Sequence, residues 1–272
     1  MRCWIFCVLF VFVCTPLRVT GQDWVQFDHN GDDCVSVADL VLLLGHFGQG
    51  NCNGAWSCGA PLSHAGHDYA TVEANGNCWF AENLQTLVYA NGDSIPHALA
   101  DDEWETTVEG ASAVYGEGES LCGHQSPTID ACDDAQSLLE YGRLYKRNAV
   151  ADPRGLCPSG WHVATKSEWE WLVSSYGDDD AAGNAIKSST GWWGDGGGVN
   201  SSGLNITPGG KRVWSGNFSS AGFDTDFWTS APEGEDPFSW YWMFNIEWDN
   251  DIGAYEANAG SGYSVRCVLD AE

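Results

Sequence analysis

Residues 165–177 read Thr165-Lys-Ser-Glu168-Trp169-Glu-Trp-Leu172-Val173-Ser-Ser-Tyr176-Gly177, and this stretch specifies a helix with both ends marked. Thr165 and Glu168 have the spacing of a capping box, in which each side chain satisfies a backbone N–H at the other residue. Trp169, Leu172, Val173 and Tyr176 recur at helical spacing as one buried stripe, and Gly177 can take the backbone conformation that ends such a helix. Toward the N-terminus, Tyr69–Val72 and Cys78–Phe80 flank Asn75-Gly76, a dipeptide suited to a type I′ hairpin turn. Toward the C-terminus, residues 239–248 alternate. Trp240, Trp242, Phe244, Ile246 and Trp248 share one side; Ser239, Tyr241, Met243, Asn245 and Glu247 share the other. Large apolar side chains along one face predict the core of an antiparallel sheet, with Val265–Val268 as a neighbouring strand. Residues 91–137 show few periodic signals and read as a loop. The fold class is α+β: a small antiparallel sheet, one or two helices and long irregular loops.

The chain has 272 residues with 38 acidic against 11 basic side chains, enough for one sizeable domain and a small module. Residues 1–21 have the features of a secretory signal: Arg2, the apolar run Ile5–Val13, and a small-residue cleavage site at Val19-Thr20-Gly21. That run is too short to span a bilayer, and no later segment is apolar enough. Cleavage leaves Cys34, Cys52, Cys58, Cys78, Cys122, Cys132, Cys157 and Cys267, an even set that argues for disulfides in an exported chain. Cys122 and Cys132 enclose a short loop and are a candidate local bridge. A formal charge of −27 disfavours nucleic acid and anionic membranes as partners.

The motif strings of the long C-terminal region, in order, carry a family resemblance. They are Cys78-Trp79-Phe80-Ala81-Glu82-Asn83-Leu84, Glu140-Tyr141-Gly142-Arg143-Leu144-Tyr145, Cys157-Pro-Ser-Gly-Trp161-His-Val163 and Gly262-Tyr-Ser-Val-Arg266-Cys267-Val268. Over residues 68–270 the chain resembles the Fibrobacter succinogenes major paralogous domain, a bacterial extracellular family. The resemblance implies a fold related to C-type lectins and formylglycine-generating enzymes, and a disulfide between Cys157 and Cys267 closing the domain. It also draws attention to Glu247-Trp248-Asp249-Asn250-Asp251, because lectin-fold proteins hold a sugar-binding calcium with Glu, Asn and Asp near such a strand; this is not their usual motif, and a plain acidic hairpin turn is the preferred reading.

The small module precedes that domain. Residues 28–39 place Asp28, Asn30, Asp32, Ser36 and Asp39 at loop positions 1, 3, 5, 9 and 12, with Cys34 offering its carbonyl at position 7. Calcium takes hard oxygen ligands in that arrangement, and Val37, Leu40, Val41 and Leu44 continue as an amphipathic helix. These residues (22–50) resemble one dockerin loop, which implies Ca2+ as cofactor and a cohesin-like protein as partner. Asp33 stands where Gly is usual and no second repeat follows; an Asx-rich turn capping a helix without metal is the other reading. Residues 51–67, with His64 and His67, read as a cross-linked linker whose histidines are solvated.

Signatures of catalysis are missing: no Gly-x-Ser-x-Gly and no His-Glu-x-x-His occur. Gly191-Trp-Trp-Gly-Asp-Gly-Gly-Gly198 reads as a flexible turn region and lacks the Gly-Lys-Ser/Thr of a phosphate loop. Trp192, Trp193, Trp214 and Trp228 lie in turn-rich segments and are the candidates for stacking on a ligand, although packing against irregular loops is the preferred reading of them. The reading is a secreted binding or adhesion module for glycans or cell-surface proteins, without catalytic residues. The alternative is an accessory subunit of a polysaccharide-degrading assembly; a divergent oxidase or glycosidase comes last.

Overall fold

The structure is a computed structural model that describes residues 56–230 and 242–270. The chain divides into two units, Met1–Gly54 and Ala55–Glu272, and every described residue belongs to the second. The loop at residues 28–39 and Trp240 lie outside the described residues. The architecture is α+β, mostly short antiparallel strands with a few short helices.

Asn75 (φ 51°) and Gly76 (φ 80°) both adopt left-handed backbone and join β3 (Thr71–Ala74) to β4 (Asn77–Phe80) in the expected hairpin. Strand β4 then pairs with β15 (Cys267–Leu269), which pairs on its other side with β8 (Trp161–Val163). Val265–Val268 therefore does not extend the sheet formed by the alternating segment. That segment gives β12 (Trp242–Glu247), which lies between β11 (Asp224–Trp228) and β13 (Ile252–Glu256). The reason is a change of sheet within a few residues. The short strand β14 (Gly262–Tyr263) pairs with β7 (Leu144–Lys146) and β9 (Lys211–Arg212), Ser264 bridges Phe227, and the chain enters the β4–β8 sheet at Cys267.

The residue at that crossing is Arg266, 1% exposed. Its Nε donates to Asn83 Oδ1 at 2.7 Å and its Nη1 to the carbonyls of Phe80 and Leu204 at 2.7 and 2.9 Å. Burial pushes the guanidinium down to about 9, so its charge is tolerated only because these acceptors replace water. Asn83 in turn donates to the carbonyl of Tyr141. One side chain thus ties four segments together.

Cys157–Cys267 is bridged, as the family resemblance implied, across a sequence separation of 110; closing such a loop stabilises by about 4–5 kcal/mol in the chain-entropy description. Cys122–Cys132 is bridged as well. A third bridge, Cys58–Cys78, anchors the stretch read as a linker. Residues 56–67 are instead part of the compact unit: β1 (Leu62–His64) pairs with β2 (His67–Tyr69). His64 and His67 are not merely solvated, since His64 Nε2 contacts the Leu156 carbonyl at 3.0 Å and His67 Nε2 the Glu82 carboxylate at 2.8 Å.

The segment read as a long loop also contains structure: α1 (Asp101–Thr106), β5 (Ser112–Ala113), β6 (Cys122–His124) and the start of α2 (Asp134–Tyr141). Asp133 caps α2 by accepting from Ala135 N. With the short α3 (Arg147–Val150), α4 (Lys166–Ser174) and α5 (Asp179–Ile186), the helices outnumber the one or two expected. The capping box of α4 forms as read. Its Trp169 sits 4.9 Å from Trp79, 4.8 Å from Phe227 and 5.1 Å from Phe244, ring centre to ring centre, which fastens the helix to both sheets. No helix among the described residues is long and apolar enough to cross a membrane.

Replacing Arg266 by Met should strip Asn83 Oδ1 and two carbonyls in the core of this donor. The expected loss is about 3–5 kcal/mol, read from urea unfolding at unchanged m-value. Arg266→Lys should recover only part, since one ammonium cannot reproduce the planar fork.

Candidate functional site

The Gly-rich run is tied to its surroundings by backbone hydrogen bonds. Asp178 caps α5 by accepting from Ala181 N, and past the helix the chain folds back on it: Gly198 N donates to Ser188 O and Val199 N to Asn184 O. A Cβ on Gly198 would lie 2.5 Å from the Asn184 carbonyl, and one on Gly196 2.7 Å from that of Trp248. The glycines serve close backbone approach, and the result is a pre-shaped loop. Between it and Pro127-Thr128 opens a cleft of about 330 Å³, with Ser189, Thr190, Trp192 and Asp195 among its lining.

Trp193 lies between two lining residues, but its ring belongs to a neighbouring ridge. It stacks on Phe223 at 5.2 Å and meets Trp248 edge-on at 5.0 Å, and it stays 41% exposed. Trp193 N donates to Gly222 O and Trp248 N to Phe223 O, so backbone bonds hold the ridge in place. Beneath it, Lys187 donates to the carbonyls of Glu247 and Trp248 at 3.1 and 3.0 Å and lies 4.7 Å from the Trp192 ring centre. Burial lowers its ammonium to about 8, opposed by Asp249 and Asp180.

The structure thus joins two segments singled out in the sequence, the Gly-rich run and the Glu247–Asp251 turn. Asn250 donates from Nδ2 to Asp180, and Tyr255 from its hydroxyl to Asp251. Burial, followed by Asp249 and Asp251, raises the Glu247 carboxyl. Among the described residues the one convergent trio of His, Cys, Asp or Glu ligand atoms is His124, Asp130 and Cys132. The Cys132 sulfur is already bonded to Cys122.

Of the tryptophans proposed to stack on a ligand, Trp193 is well placed and Trp214 is half-exposed but lies apart, against Gly260. Trp228 is excluded. It is fully buried, and its Nε1 donates to the Tyr145 carbonyl. Trp192 is 2% exposed, with Nε1 bonded to Ser188 Oγ and the Ile206 carbonyl; it forms cleft floor, not an open platform. Sequence reasoning missed Thr128, Ser189, Thr190, Asp195 and Phe223. No motif marks them, and only the fold of the loop assembles them.

A second titratable group lies inside the molecule. Asp224 and Asp226 share a face of β11 with their β12 partners Glu247 and Asn245. Lys211 Nζ is 2.7 Å from Asp226 and 3.4 Å from Asp224, and Asp226 is fully buried. One ammonium cannot neutralise two buried carboxylates, so the more loosely held Asp224 keeps a proton: burial, then Asp226, raises it from 3.8 to about 7. Asp226 itself is sealed from solvent.

The folded chain binds that proton where the unfolded chain has released it. Stability therefore falls as pH rises from about 4 to about 7. Asp224→Asn should remove this slope and raise stability at pH 7 by about 1–2 kcal/mol while changing little at pH 4. Thermal melts of both proteins across that range provide the measurement.

Residues 72–269 match the sequence profile of the Fibrobacter succinogenes major domain. No curated protein and no solved structure matches the chain. The matched span covers most of the chain and runs from the β3–β4 hairpin through the Arg266 crossing to β15. On this span the chain belongs to the Fibrobacter succinogenes major domain family.

Proposed function

We propose that this chain is a secreted binding module with a C-type-lectin-like fold, which recognises glycans and performs no turnover of its own. The observation that carries the reading is the aromatic ridge of exposed Trp193 with half-buried Phe223 and Trp248, beside a cleft lined with hydroxyls. Sugars present apolar ring faces and polar rims. A rigid aromatic surface next to convergent polar groups suits both. Export is supported by the apolar N-terminal run with its small-residue cleavage site and by three disulfides.

A second reading is favoured by the spacing of Asp28, Asn30, Asp32, Cys34, Ser36 and Asp39. In that reading the loop binds Ca2+ and docks the chain onto a cohesin-like protein in a polysaccharide-degrading assembly. The two readings are compatible, since the loop and the cleft are separate in sequence.

Titrating the full chain against a panel of soluble polysaccharides, with calcium and with chelator, separates them. Binding to at least one neutral polysaccharide, weakened about tenfold by Trp193→Ala, is the expected result. Binding that survives Trp193→Ala unchanged removes the ridge from the argument. Calcium-dependent capture by a cohesin-type protein without any glycan binding favours the second reading. Release of reducing sugar would replace both with an enzyme.

A further inference from the structure

We infer that the cleft admits a neutral, hydroxyl-bearing sugar residue and rejects acidic sugars; this rests on the glycan-binding reading above. Three observations support it.

The first is the set of available hydrogen-bonding groups. Ser189, Thr190 and Asp195 are exposed in the lining, and their side chains make no hydrogen bond or ion pair within the described residues. Two hydroxyls can donate or accept, and the carboxylate accepts from two partners. Paired acceptors at a carboxylate match the adjacent hydroxyls of a pyranose ring. The cleft volume of about 330 Å³ falls at the small end of ligand sites, about 300–1,000 Å³.

The second is the placement of charge. Asp195 is the one charged residue in the lining, and the ridge beside it adds Glu247, Asp249 and Asp251. The chain has few cations to offset them, and most are internal: Arg143, Lys146, Arg147, Lys187, Arg212 and Arg266 are all buried. The outer surface is therefore left strongly negative, and a uronate or sulfated sugar approaching Asp195 meets like charge without a compensating base.

The third concerns cationic sugars. Behind the cleft floor, the Lys187 ammonium sits against the Trp192 ring. It already uses the π-face that would otherwise favour a bound ammonium, and it opposes a second positive charge nearby. A carboxylate at the rim and an ammonium beneath the floor together suit a neutral polyol.

The test uses the full chain with three soluble probes, a neutral β-glucan, polygalacturonate and chitosan, each at low and high salt. Variants are Asp195→Asn, the pair Ser189→Ala with Thr190→Val, and Val108→Ser as an exposed control outside the lining. The glucan should bind with little salt dependence, the Ser189/Thr190 pair should weaken it about tenfold, and Val108→Ser should not change it. Asp195→Asn should narrow the gap between polygalacturonate and glucan by about tenfold. Because Asp195 is exposed and unbonded, that variant tests the idea without endangering the fold. Polygalacturonate binding wild type as tightly as glucan would overturn the inference. So would chitosan binding that persists at high salt and is lost in the Ser189/Thr190 pair. Glucan binding that depends on Trp193 but ignores Ser189, Thr190 and Asp195 sinks the inference and leaves the glycan reading standing. No binding of any probe sinks both.

Discussion

The burial of Arg266 is the constraint on which the rest of the structure depends. A guanidinium removed from water must find acceptors, and the acceptors here belong to the β4 exit, to Asn83 and to the loop at Leu204. Satisfying it fixes where those loops run, and Cys267 next to it locks the end of the chain to Cys157. Because β15 lies between β4 and β8, the sheet cannot close until the C-terminus arrives. Such non-local closure is characteristic of slow-folding, high-contact-order topologies.

What was readable in the sequence was local. The capping box at Thr165 and the Asn75-Gly76 turn are settled by residues three or fewer positions apart, and so they are visible in a string. The partner of Val265–Val268 is not, because strand pairing is chosen by whatever the Arg266 crossing permits. Helices α1 and α2 escaped notice because each is short and buries few side chains: Trp104 in one, Ser137 and Tyr141 in the other. The stretch at 56–67 looked like a linker by composition, yet the Cys58–Cys78 bridge and a pair of short strands draw it into the domain.

The candidate site shows the same division more sharply. Trp192, Trp193 and Trp228 are alike in their turn-rich surroundings, yet one forms a floor, one a ridge and one core. Only the tertiary arrangement separates them, through the hydrogen bonds available to each indole. The acidic turn at Glu247–Asp251 was legible as an acidic turn, and its service as a support for the ridge was not. Ser189 and Thr190 carry no signal in a chain rich in small polar residues.

The close packing of the Gly-rich loop has an evolutionary corollary. Where a Cβ would collide with a neighbouring carbonyl, as at Gly196 and Gly198, substitution is closed off by geometry, however useful a new side chain there could be. Ser189, Thr190 and Asp195 project into open space from the same segment and can change without disturbing the backbone. Duplicated copies of such a gene could therefore drift apart in preference at these few positions while the scaffold stayed constant. The cleft is a fixed mould with an interchangeable face.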